Sequence, residues 1–180
     1  MNRHVVNQPI KLLLVDDHAL FREGVESLAA RRDDFAVVGQ ASTAEEAVLQ
    51  AGELQPDVIL MDIRMPDLSG IEATRRIKKV WPSAKIVMLT VSDEEEEVFE
   101  SIKAGAVGYV LKSSTAETLF EHLKKAAASE PAIDPHIAAR ILFEFASRGT
   151  RAAPQKADAL SKRESEVLEL VAAGMSNKEI

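Results

Sequence analysis

The sequence predicts a doubly wound α/β domain, followed by a helical linker and the opening of a second, all-α unit. Three observations carry this. Five short runs rich in Val, Ile and Leu recur between residues 10 and 111, and segments of helical period separate them. Most of those segments start at a Ser or Thr with a Glu three positions on. Near-continuous apolar runs fit strands covered on both faces, and strand alternating with helix is the pattern of a parallel sheet with helices on either side.

The elements follow in order. "IKLLLV" (10–15) reads as the first strand, with a helix beginning near Ala19. "FAVVGQ" (35–40) is the second strand; its helix carries Ala47, Val48, Ala51 and Leu54 on one face and starts at Thr43 with Glu46. "DVILM" (57–61) is the third, followed by a helix on Ile71, Thr74, Ile77 and Trp81 that starts at Ser69 with Glu72. "KIVML" (85–89) precedes a start at Ser92 with Glu95, and "VGYVL" (107–111) a start at Ser114 with Glu117. In each start the hydroxyl accepts from an orphan amide of the first turn and the glutamate reaches back, the capping box. Five strands in so short a span suit the flavodoxin-like order 2-1-3-4-5 better than a Rossmann pair of halves. Neither G-x-G-x-x-G nor G-x-x-x-x-G-K-[ST] occurs, so a dinucleotide or P-loop site loses its main support.

Past Ala128 the pattern changes. Prolines stand at 131 and 135, a helix is expected at about 134–148, and "GTRAAPQKADA" reads as flexible linker. "LSKRESEVLELVAAG" then starts a helix: Ser161 and Glu164 cap it, Val167, Leu168, Leu170 and Val171 form its apolar face, and Gly174 stops it. Ser176 with Glu179 opens another helix, in whose first turn the sequence stops, so this unit reads as incomplete. The expected division is a leader at 1–9, the α/β domain at 10–128, a linker at 129–158 and the helical unit at 159–180.

Composition narrows the function classes. The net charge of −7 is unlike that of a bulk nucleic-acid binder. Residues 1–128 hold 15 Lys/Arg against 21 Asp/Glu, a net of −6, while 129–180 hold 7 against 8. Any DNA role therefore belongs to the C-terminal part. The absence of cysteine excludes disulfides and thiolate metal sites. "MNRHVVNQP" lacks the apolar core of a signal peptide and no apolar run reaches membrane-spanning length, so a cytoplasmic protein without a membrane partner is expected.

Ligands of open α/β sheets collect beyond the carboxyl ends of the strands. Strand one delivers Asp16 and Asp17 there, strand three Asp62, strand four Thr90 and strand five Lys112. Two adjacent carboxylates about 4 Å apart repel by roughly 4 kcal/mol at an effective dielectric near 20, so something must offset them. Clustered carboxylates suit a hard divalent cation such as Mg²⁺, which takes one or two of them with waters and a phosphate oxygen. An aspartate can also attack phosphorus to form an acyl phosphate, with the cation, Lys112 and the Thr90 hydroxyl each taking a phosphoryl oxygen.

Each residue has a plainer reading. Asp16 and Asp17 could cap the following helix, Asp62 could be a solvated loop acid, Thr90 β-branched filling and Lys112 a surface lysine. Tyr109, the one tyrosine, reads as half-buried core. "DEEEE" (93–97) reads as acid favoured in a helix's first turn, with no part in the site. His18 could ligate metal, but with no second histidine near it in the pattern it reads as a packing or solvent residue. Their joint placement on successive strand ends favours the chemical reading.

"VDDH", "LMDIRMPDLSGIE", "MLTVS" and "GAVGYVLK", in this order, resemble the receiver domain of two-component response regulators over roughly residues 10–128. The resemblance implies Asp62 as phosphoacceptor, Asp17 as direct Mg²⁺ ligand, Asp16 as second-sphere or water-mediated ligand and the Arg64 carbonyl as a further ligand. It also implies Thr90 and Tyr109 as a switch pair and Lys112 as partner of the phosphoryl group. A sensor histidine kinase would donate that group. Phosphorylation would shift a pre-existing equilibrium of the face built by the last two strands and helices, with dimerisation as the outcome.

Two positions depart from the family's habit. Val91 is bulkier than the Ala, Gly or Ser common after the switch hydroxyl, which predicts slow autodephosphorylation. Ser113 follows Lys112 where many receivers carry proline, removing the residue that favours a cis peptide bond.

The tail "LSKRESEVLELVAAGMSNKEI" resembles the opening of a LuxR-type helix-turn-helix, which implies the NarL/FixJ subfamily of transcription factors. Its DNA-reading helix would lie beyond Ile180, so its DNA-binding residues are unknown and promoter DNA is expected as partner of the full-length protein, not of this chain. Two other readings remain. One is a Mg²⁺-dependent phosphohydrolase with an Asp nucleophile, although haloacid-dehalogenase-like enzymes place Asp-x-Asp where this chain has Asp16-Asp17-His18. The other is a receiver-like binding module that works without phosphorylation.

Overall fold

The computed structural model describes residues 8–91, 95–130, 132–133 and 138. The elements are β1 (Ile10–Val15), α1 (Ala19–Ala29), β2 (Phe35–Ala41), α2 (Ala44–Leu54), β3 (Val58–Asp62), α3 (Gly70–Val80), β4 (Ile86–Thr90), α4 (Glu95–Lys103), β5 (Gly108–Leu111), α5 (Ala116–Ala127) and β6 (Ala132–Ile133). The sheet is parallel throughout, in the order β2-β1-β3-β4-β5-β6. The expected order 2-1-3-4-5 is therefore present, with one strand added.

That sixth strand lies in the segment expected to be linker, where Pro131 and Pro135 argue against regular structure. A two-residue strand on an edge escapes the rule, because its outer side needs no ladder partner. It pairs Ala132 with Gly108 and Ile133 with Tyr109. Apart from Ala138, the helix expected at about 134–148 lies outside the described residues, as do the remaining linker and the helical unit at 159–180.

Because strand side chains alternate, each strand feeds two cores. Leu12, Leu14, Val58, Leu60, Val87, Leu89 and Val110 pack under α1 and α5 with Val25, Phe120 and Leu123. Leu13, Val15, Ile59, Met61, Ile86, Met88 and Tyr109 pack under α2, α3 and α4 with Ala47, Ala51, Ala73, Ile77 and Val98. The apolar runs were continuous because both faces are covered.

The helix starts follow their chemistry with one correction. Thr43 accepts from the Glu46 amide at 3.2 Å, and Ser69 from that of Glu72 at 3.3 Å. The Glu46 carboxylate reaches back one residue further than a capping box requires, to the amide and hydroxyl of Ser42. Ser92 lies outside the described residues. For α5 the cap is Thr115, not Ser114: Thr115 is extended and accepts from the Thr118 amide. Ser114 is spent in a tight turn, its amide donating to Leu111 O at 3.0 Å.

Candidate functional site

Each strand ends where its hydrogen-bonded ladder releases the chain, and the polar residues there meet over the sheet's carboxyl edge. Asp16 and Asp62 are 2% exposed and Thr90 is fully buried. The turns are fixed by main-chain bonds: Asp16 N–H to Ala41 O, Ile63 N–H to Leu89 O and Lys112 N–H to Thr90 O. An anchor from α1 is added, since Arg22 donates to the Asp16 carbonyl and, at 3.4 Å, to Gln40 Oε1.

Lys112 Nζ stands between the buried acids, 2.7 Å from Asp16 Oδ2 and 2.9 Å from Asp62 Oδ2. Its charge also lies 5.0 Å from the centroid of the Phe21 ring, a cation–π contact. The other Asp62 oxygen accepts from the Arg64 amide at 3.3 Å. Burial pushes the Asp62 carboxyl above its ordinary pKa, with the Asp16 charge adding to the rise and the Lys112 hydrogen bond opposing it. For Lys112, burial works to lower the pKa, but the two aspartates outweigh it and the ammonium is held above its ordinary value.

Asp16, Asp17, His18 and Asp62 present donor atoms that all lie within 4.8 Å of one another. His18 keeps a largely exposed ring, as a solvent residue would, and stands against this group. Its Nδ1 lies 3.1 Å from Asp16 Oδ1 and 2.9 Å from Asp17 Oδ1, and its amide donates to Asp16 Oδ1 at 2.8 Å. Asp16 is therefore no side-chain cap of α1, whose N-cap is His18. Two oxygens of the group, Asp16 Oδ2 and Asp17 Oδ1, are shielded from solvent yet make no hydrogen bond of acceptable geometry. Their nearest polar neighbours are Lys112 Nζ, 2.7 Å from Asp16 Oδ2, and His18 Nδ1, 2.9 Å from Asp17 Oδ1. Hard carboxylate oxygens clustered in this way, two of them shielded from solvent, fit a divalent cation.

Tyr109 is 2% exposed and packed in the core, a fully inward ring where the sequence alone suggested half burial. The peptide bond after Lys112 is trans. The acidic run contributes what its sequence did not announce. Glu97 Oε1 accepts from Arg64 Nε at 3.1 Å and Nη2 at 2.9 Å, and its Oε2 lies 3.4 Å from the Thr90 hydroxyl. Helical period could have pointed to it, since Glu97 and the Ser101 hydroxyl that bonds its carbonyl share the face of the buried Val98.

Gly70 was also missed. A Cβ there would sit 1.9 Å from the Asp62 carbonyl oxygen, so α3 can begin against the site only on glycine. Its amide donates to Ile63 O at 2.9 Å and closes the loop that carries Arg64.

Residues 12–124 match the family "Response regulator receiver domain", and residues 158–180 the family "Bacterial regulatory proteins, luxR family". The response regulator protein VraR of Staphylococcus aureus is 37% identical over 171 residues, covering 95% of this chain and 79% of VraR. A LuxR-family two-component response regulator from Aurantimonas sp. superposes with a TM-score of 0.71 at 36% identity, over 77% of this chain and 99% of that one. The signal receiver domain of the response regulator NarL from Mycobacterium tuberculosis gives 0.65 at 28% identity, over 68% and 98%. With a receiver fold, an acidic pocket of the kind that binds Mg²⁺ in receivers, and a luxR-type segment after it, the chain belongs to the DNA-binding response regulators of phosphorelay systems.

Proposed function

We propose that this chain is switched by phosphorylation at Asp62, with a sensor histidine kinase as donor, and that the switch controls dimerisation and the DNA output of the luxR-type region. The observation that carries the reading is the buried Asp62 carboxylate, salt-bridged to Lys112 and clustered with the carboxylates of Asp16 and Asp17. Asp16, Asp17, Asp62 and the Arg64 carbonyl are the residues that would hold Mg²⁺. Bound there, the cation supplies charge neutralisation and a coordination position for one phosphoryl oxygen.

The chain's own groups do the rest. An Asp62 oxygen attacks phosphorus; the new P–O bond forms as the bond to the phosphohistidine nitrogen breaks, and the imidazole departs with its electron pair. Lys112 follows the charge from the carboxylate to the phosphoryl oxygens without leaving Asp16. The Thr90 hydroxyl, buried at the end of β4 beside β3, donates to another oxygen. Thr90 and the inward Tyr109 lie on strands paired with each other, β4 and β5, so a shift at one is passed to the other. The chemistry is confined to the chain's own phosphoryl group, so the protein is a regulator and not an enzyme acting on an external substrate. The proposed division keeps the receiver at 10–128, the linker at 129–158 and the luxR-type region at 159–180. A cytoplasmic location accords with a DNA output.

The test is intact mass after incubation with acetyl phosphate, with Mg²⁺ or with EDTA, on the wild type and on Asp62→Asn. One phosphoryl adduct, dependent on Mg²⁺ and lost in Asp62→Asn, is expected. Consumption of donor without an adduct would point instead to a phosphohydrolase, and an unconsumed donor to a binding module.

A further inference from the structure

We infer that Glu97 of α4 is a positioning residue that holds Thr90 and Arg64 in the unphosphorylated arrangement and competes with the phosphoryl group for the Thr90 hydroxyl proton. The inference rests on the phosphoacceptor reading of Asp62 and deepens it.

The carboxylate divides its two oxygens between the two sides of the site. Oε1 takes both Nε and Nη2 of Arg64, two residues past Asp62, at 3.1 and 2.9 Å. That pairing fixes the carboxylate, and Oε2 then lies 3.4 Å from Thr90 Oγ1. A threonine hydroxyl has one hydrogen to donate. Either it serves Glu97 or it serves a phosphoryl oxygen on Asp62, and one choice excludes the other. The contact to Glu97 is long and so weak, which lets the phosphoryl group win once it is present. Until then it sets a cost on capturing that group.

Charge adds to the competition. Glu97 is a fourth carboxylate near a site that already holds Asp16, Asp17 and Asp62, and an incoming phosphoryl group brings more negative charge. Arg64 neutralises Glu97 in this arrangement, so the guanidinium is held on α4 instead of reaching toward the phosphoryl group. When Thr90 changes partner, the Glu97–Arg64 pair loses its tie to β4. The Glu97 carbonyl, bonded by the Ser101 hydroxyl at 2.6 Å, lies inside α4, so the release is felt along that helix. The acidic run at the start of α4 thus holds a sensor of the phosphorylation state as well as ordinary helix-start acids.

The experiment measures initial rates of phosphorylation by acetyl phosphate with Mg²⁺, read by intact mass, on the wild type, Glu97→Gln, Thr90→Ala and the double variant. Glu100→Gln serves as the charge control, because Glu100 sits on the same helix but pairs with Arg75 and Lys103, away from the site. Glu97→Gln is expected to raise the rate roughly three- to tenfold, the scale of freeing one hydrogen bond. Glu100→Gln should leave it unchanged, and the gain from Glu97→Gln should vanish in the Thr90→Ala background, as coupling through Thr90 requires. An unchanged or slower Glu97→Gln, an equal rise in Glu100→Gln, or a gain that survives Thr90→Ala would each overturn the role of Glu97. A wild type that takes no phosphoryl group would instead overturn the reading of Asp62 beneath it.

Discussion

Asp16 and Asp17 stand side by side because the chain supplies a counter-charge from elsewhere, Lys112 just past the end of β5, while His18 Nδ1 lies within hydrogen-bonding distance of both acids. Lys112 offsets part of the repulsion, and it also pairs with Asp62. Its carboxyl pKa is raised first by burial, so the folded protein holds that proton to higher pH than the unfolded chain does. Stability is therefore lost as pH rises from the ordinary carboxylate range through the raised value, the reverse of a salt-bridged surface acid. Without divalent cation, Asp62→Asn should be more stable than wild type at neutral pH, by on the order of 1 kcal/mol. Urea denaturation at several pH values in EDTA reads both the gain and its disappearance in acid; an Asn variant less stable at neutral pH would contradict the argument.

Val91 follows Thr90 and is 65% exposed, at the rim of the site. Val91→Ala should shorten the lifetime of the phosphorylated protein several-fold by admitting water, and an unchanged decay would remove the steric explanation. At this scale the strand-end residues were legible, because their types and order carry the chemistry. His18 and Glu97 were less so: a lone histidine has no pattern, and in a run of acids helical period alone sets Glu97 apart, without showing that it faces Thr90.

Among the elements, α3 meets the site through its backbone. Its first residue must be glycine, because the Asp62 carbonyl occupies the place of a side chain. Gly70→Ala should destabilise by roughly 1–3 kcal/mol through overpacking and should slow phosphorylation by displacing Asp62. Calorimetry with the same mass assay checks both, and a variant of wild-type stability would mean that the loop yields without cost. Strands and helices were legible to within a residue or two because the apolar runs and periods are strong. The start of α5 was not, since Ser114 and Thr115 offer the same chemistry and only the turn at Leu111 decides between them. The sixth strand carried no signal at all: two residues between prolines have neither alternation nor length.

For the whole molecule, β6 is the strand that follows α5. It pairs Ile133 with Tyr109, so the segment that follows α5 is bonded to the strand that holds the proposed switch ring. A Cβ on Gly108 would lie 2.8 Å from both the Cβ and the carbonyl oxygen of Ala132. Gly108→Ala should therefore lift β6 while sparing β1 and β3, seen as faster amide exchange at Ala132 and Ile133 alone. Unaltered exchange there would show that β6 adapts. All of this presumes that one phosphoryl group, placed at one atom, drives the molecule. Borohydride reduction of the protein after acetyl phosphate treatment, followed by peptide sequencing, tests that most directly, because it converts an aspartyl phosphate to homoserine. Homoserine at residue 62 alone, formed only with Mg²⁺, is the predicted result; homoserine at another aspartate, or at none while phosphate is retained, would contradict the account.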